Sequence, residues 1–328
     1  MTIFRRAIAR IAFAAAAVAA LGLGAAGVAP AATAATTTIA VSTASQLKSA
    51  LYAVKPGQTI ALADGVYTGT FSSSVNGTAT APITLIGSRK AVITTGSTGS
   101  GTALLVKGDH WRLTGFRVTT AQKGVMLHDS DYTIVSGLDV GSIGHEAVHV
   151  RASSVGVIIR KSTIHDTGLT KAGYGEGVYV GSAQSNWGSI MGSATTPDRS
   201  DRVIIEDNAI ANTSAEGIDI KEGTTGGIVR RNVFTRAGYS GANYADSWVD
   251  VKGDGYRIES NSGSTARLDA FQVHSVLAGW GGDNVFSGNT IVSGVPGHEV
   301  RVESRESGNR VLCTTSNARL GLTNIRCG

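Results

Sequence analysis

Lys221 and Lys252 are the only lysines beyond residue 171, and each ends the same short pattern: Ile218-Asp219-Ile220-Lys221 and Val249-Asp250-Val251-Lys252. Apolar and charged residues alternate, so a strand would send Asp and Lys to one face. On neighbouring strands the two lysines would stack. Like charges held that close lower the pKa of at least one, and a neutral amine is a competent general base. The aspartates would stack beside them, and two close carboxylates favour a shared proton or a bound cation. The bland alternative is a ladder of surface ion pairs, which contributes little.

The pattern recurs along the chain. It reads Leu104-Leu105-Val106-Lys107, Val125-Met126-Leu127-His128, Val148-His149-Val150-Arg151 and Val178-Tyr179-Val180-Gly181 before the two lysine strands. Phe271-Gln272-Val273-His274 and Val300-Arg301-Val302-Glu303 follow them. Stacked in order, these strands give one outward line through His149, Tyr179, Asp219, Asp250, Gln272 and Arg301. A second line runs through Arg151, Gly181, Lys221, Lys252 and His274. Glu146, Glu176, Glu216 and Asp269 stand just before four of the strands. One face therefore gathers ionisable groups. His274 and Tyr179 are candidate proton donors. His149, Arg151 and Gln272 are candidate substrate contacts. Three expected insertions, 165–175, 182–202 and 236–247, bring Tyr174, Trp187, Tyr239 and Tyr244, and Trp248 opens the next strand. Long loops on a rigid scaffold usually serve binding, and aromatic side chains in them suit stacking on sugar rings.

The elements that would hold these residues show in a second repeat. Strands end in a corner at Gly87, Gly115, Gly137, Ser162, Asn208, Asn232, Asn261, Asn289 and Asn317. Gly and Asn suit a corner because both tolerate the left-handed conformation, and stacked Asn can form amide ladders. Short strands, such corners and a repeat of about 22–30 residues without helices between them indicate an all-β solenoid. The expectation is a single-stranded right-handed parallel β-helix of about ten coils, with strands ~4.8 Å apart. Ser45 is placed to cap a short helix reaching Lys55, with Leu47, Leu51 and Val54 on one face, which would plug the first coil.

Charged residues make up only 16% of the chain, which argues against a disordered or coiled-coil protein. Arg5, Arg6 and Arg10 followed by an apolar run and Ala32-Thr33-Ala34 fit a secretory leader, 1–34, ahead of one domain, 35–328. The leader removes three arginines and no acid, so the formal charge falls from +5 to +2. That withdraws support for a nucleic-acid partner. No other long apolar run exists, so no membrane partner is expected after cleavage. Cys313 and Cys327 are the only cysteines; export favours a disulfide closing the last coil. Capped solenoids are expected as secreted monomers.

The run 55–69, from Lys55-Pro56-Gly57-Gln58 to Tyr67-Thr68-Gly69, resembles the first coil of the chondroitinase B and alginate lyase family of secreted β-helix proteins. Glu216-Gly217-Ile218-Asp219-Ile220-Lys221-Glu222-Gly223, followed by Arg231-Asn232-Val233-Phe234, resembles that family's acidic, lysine-bearing catalytic coil. The resemblance implies Lys221 as base and Glu216 with Asp219 as holders of Ca2+, a set Asp250 could complete. That family offers an arginine on the next coil, where this chain has Lys252.

The function expected is lysine-based β-elimination on an acidic, uronate-containing polysaccharide. Calcium or Lys252, with Arg301, would neutralise the uronate carboxylate. Two alternatives stand beside it: a glycoside hydrolase using paired carboxylates among Asp219, Asp250 and Glu216, or a solenoid that only binds carbohydrate.

Overall fold

Each short strand has one apolar face, and only the opposite walls of its own coil and the coils above and below can bury it. A computed structural model describes residues 37–328; the leader expected at 1–34 lies outside them. The strands stack into three parallel sheets of eleven, nine and nine strands. Each coil lends a strand to each sheet in turn, which makes the all-β parallel helix expected.

The first sheet aligns Leu85, Leu113, Val135, Ile159, Ile205, Val229, Ile258 and Phe286. All eight are buried. The second sheet aligns the strands that carry the charged lines, in the order read from the sequence. A third sheet follows each corner directly, through Arg117–Ala121, Asp139–Ile143, Thr163–Thr167 and Ala209–Thr213. Sequence reading did not separate it. Its paired strands align mainly one central inward residue, Val118, Val140, Ile164 and Ile210, too few for a visible alternation.

The corners differ from expectation by one residue. Ser136 pairs with Arg160, so Lys161 takes the place of Gly137, and both are left-handed. Later corners put Asp207, Arg231 and Ser260 in that conformation. The asparagines come next and are buried. Asn208 Nδ2 donates to Asn232 Oδ1 at 3.0 Å, Asn232 to Asn261 at 3.0 Å and Asn261 to Asn289 at 3.1 Å. They serve the ladder and not the turn.

A helix, Ala44–Ala53, covers the first coil. Thr43, rather than Ser45, is its cap, in a capping box with Gln46. Leu47, Leu51 and Val54 are buried beneath it. At the other end Cys313 and Cys327 are joined. Among the described residues no helix is long and apolar enough to cross a membrane. The first expected insertion starts later than read, because His165 lies in the strand Thr163–Thr167. The second holds the short helix Trp187–Ile190, and the turns Ala172–Tyr174 and Ala242–Tyr244 sit in the other two.

Candidate active site

The central coils approach closely because Gly177 and Gly217 precede their strands. A Cβ on Gly177 would lie 2.6 Å from the Gly217 carbonyl, and one on Gly217 would lie 2.9 Å from the Trp248 carbonyl. The preceding Glu176 and Glu216 are thereby brought together with Asp219, with oxygens within 4.8 Å of one another. Gly181 interrupts the second charged line, so no side chain stands between Arg151 and Lys221. The gap belongs to a groove of ≈ 630 Å³ whose floor holds Lys123, His149, Arg151, Glu176, Tyr179 and Lys221. Tyr174, Asn243 and the segment around Ser182–Ile190 form its walls.

Lys221 Nζ lies 2.6 Å from Asp219 Oδ2 and 5.1 Å from the centre of the Tyr179 ring. The Tyr179 ring packs on His149 at 4.3 Å. Burial, then the charges of Asp219 and Glu176, holds the Tyr179 phenol well above its usual range, so it keeps its proton. The Gly181 carbonyl accepts from His149 Nε2 at 2.9 Å, which commits that nitrogen as a donor. His149 Nδ1 lies 3.2 Å from Glu146 Oε1, which also accepts from Lys123 Nζ at 2.8 Å. Burial opposes the Glu146 charge, but His149 and Lys123 outweigh it and bring the carboxyl down to about 2. Burial pushes Glu176 up to about 8, with the Asp219 charge adding to it. The same causes push Glu216 well above the carboxylate range. Arg151 gives its Nε to His128 Nδ1 at 3.0 Å.

Lys252 lies one coil beyond. Its Nζ is 2.8 Å from Asp219 Oδ1 and 2.5 Å from Asp250 Oδ2. Burial works to lower its pKa, but the carboxylates prevail and raise it well above the usual value. Lys252 is therefore not a depressed lysine: two carboxylates stand at ion-pair range of its ammonium.

Other expected residues fall outside the groove. His274 Nδ1 pairs with Asp250 Oδ1 at 2.8 Å and Nε2 faces Glu303 at 3.3 Å. Burial opposes its charge, but Asp250 raises its pKa. Gln272 donates to Asp246 and Asp269, and Arg301 pairs with Glu303. Two of the aromatic expectations are overturned. Trp248 is wholly buried, with rings of Phe234 and Phe271 against it, because its position faces the core. Trp187 is buried under its own loop, donating Nε1 to the Ser182 carbonyl at 2.8 Å. Tyr174 does line the groove, half-exposed. Sequence reading passed over Lys123, Asn186 and Asn243. A signal existed for Lys123, which sits two residues before Val125 as Glu146 sits before Val148.

The donor set named for calcium, Glu216, Asp219 and Asp250, does not fit that ion as it stands. Asp219 gives one oxygen to Lys221 and the other to Lys252. Asp250 gives one to Lys252 and the other to His274. All four aspartate oxygens already face side-chain nitrogens, three of them from lysines.

The family model for the right-handed β-helix region matches residues 102–291. No curated protein matches the chain. Among solved structures, the chain is similar to an alginate lyase from Paenibacillus sp. str. FPU-7 at 42% identity and TM-score 0.78, over 89% of this chain and 100% of that one. It is similar in fold to pectate lyase Pel9A, at 15% identity and TM-score 0.61, over 87% of this chain and 79% of that one.

Proposed function

Given that the chain belongs to the right-handed β-helix family, and to the same group as that alginate lyase, we propose that it is a secreted polysaccharide lyase. Its substrate would be a uronate polymer of the alginate class, cleaved by β-elimination. The observation that carries this is the placing of Lys221 Nζ beside the Tyr179 ring at the floor of a groove lined with cations.

Lys221, in its free-amine form, takes the C5 proton of the uronate. The C5–H electron pair forms the C4–C5 double bond, and the C4–O bond breaks. Tyr179 gives its phenolic proton to the leaving oxygen, and water later returns the pair to its starting state. The surroundings support each role. The phenol is held neutral by burial first and by the Asp219 charge beside it, as a donor must be. Lys221 shares its aspartate with Lys252, so it has only part of a counterion, whereas Lys252 has two. Abstraction at C5 requires that the charge developing on the uronate carboxylate be stabilised. Arg151 and Lys123 line the groove and are positioned for this, with the guanidinium fork suited to a carboxylate. His274 and Arg301 take no part. Export is supported by the leader pattern and by the disulfide.

The test is a panel of alginate, pectate, glucuronan, chondroitin sulfate, dermatan sulfate and hyaluronan, followed by ultraviolet absorbance of the unsaturated sugar. Absorbance is expected to rise on alginate. In Lys221→Ala it should fall by roughly 10³-fold, the usual range for loss of a general base. New reducing ends without absorbance would turn the reading to hydrolysis.

A further inference from the structure

We propose that Lys252 is a tethered cation: its ammonium occupies the place between Asp219 and Asp250 where calcium would sit, and completes the catalytic coil without a metal. The proposal deepens the lyase reading, since it concerns the coil that carries Lys221. Its readout is binding, however, so it can fail while the lyase reading stands.

The support is geometric. Lys252 Nζ makes ion pairs at 2.8 and 2.5 Å to carboxylates on two successive coils. Asp219 and Asp250 are paired in register, so the ammonium bridges the coils as a bound ion would. Its side chain is only 12% exposed and the carboxylates less, so the pairing is sheltered from solvent. A divalent ion at the same place would meet the Lys252 ammonium at ion-pair range, and like charges that close repel. Lys252 also acts through Asp219, whose second oxygen holds Lys221 at 2.6 Å. It is therefore a positioning residue. Without it, Asp219 and Asp250 would each turn an unpaired oxygen to a small buried space beside Glu216. Hard oxygen donors in such a space suit calcium.

Calorimetric titration of the full chain with calcium chloride tests this, alongside thermal melts in chelator and in calcium. Wild type is expected to show no saturable heat up to ~10 mM calcium, well above the ~1 mM of weak extracellular sites. Its melt should be the same in chelator and calcium. Lys252→Ala is expected to melt lower in chelator, because two buried carboxylates lose their partner. It should regain several degrees as calcium is added, since a ligand that binds only the folded state raises its midpoint. Saturable binding by wild type that disappears in Asp250→Asn would overturn the proposal. So would a folded Lys252→Ala that takes no calcium. If that variant does not fold, the wild-type titration decides.

Discussion

Lys221 and Lys252 occupy equivalent places on adjacent strands and differ in their company. Lys221 has one aspartate, shared, and opens on the groove; Lys252 has two and does not. The Asp-x-Lys repeat makes the stack legible in sequence, but not which oxygen each amine meets. That choice rests on side-chain angles no spacing records. Burial was equally hidden, and it governs the acids nearby. Glu176 titrates at about 8 in the fold against about 4.3 in an open chain, so between those values the folded state holds the extra proton. Stability must therefore fall as pH rises across that window. Melting temperature should drop from pH 5 to pH 8, and Glu176→Gln should flatten the slope. A wild-type slope of the opposite sign, corrected by the same substitution, would show that Glu176 is ionised instead.

At the level of elements, the charged columns could be read because a parallel stack repeats outward positions coil by coil. The second sheet keeps the order its sequence pattern implies, from Leu104 to Val300. The corner was harder, since Gly and Asn both favour turns. Only the register shows that the turn falls on Lys161, Asp207 and Arg231 while the asparagines turn inward. Trp248 misled for a related reason: an aromatic residue after a loop looks like a wall of the groove until its strand parity is known. The ladder gives a direct prediction. Asn232 accepts from the Asn208 backbone and side chain and donates to Ile205 and Asn261. Asn232→Ala leaves several buried polar groups unpaired, at about 1–3 kcal/mol each. The thermal midpoint should fall by roughly 5–10 °C for a chain of this size. Asn232→Ala unchanged in a melt would mean that water takes over the ladder.

On the scale of the whole molecule, the two ends are closed by different means: a packed helix on the first coil and a covalent loop on the last. In a solenoid each coil touches mainly its neighbours, so the effect of an end should fade along the stack. Reduction of Cys313–Cys327 is expected to speed amide exchange in Val300–Val302 and Arg310–Val311. The strand Ile218–Ile220 should stay protected. Loss of the cross-link over a separation of 14 residues has a ceiling of about 3 kcal/mol in the loop-entropy model. Lyase activity should survive it. Loss of protection at Ile218–Ile220 would instead show that the coils unfold as one unit.

The coil from Ser162 to Asn208 is 46 residues long, while the next, from Asn208 to Asn232, is 24. Both bring the chain back to the same column, one rung further along the ladder. The difference is the segment that walls the groove, hung between two strands whose register does not register its length. Inheritance can therefore act on the two parts separately. A gene that gains or loses codons within that segment reshapes the wall while Lys221 and Tyr179 keep their places. A single codon gained inside Ile218–Ile220 would turn that strand's groove-side residues toward the core. Diversity of substrate in such a lineage should collect in the long coils, and constancy in the short ones.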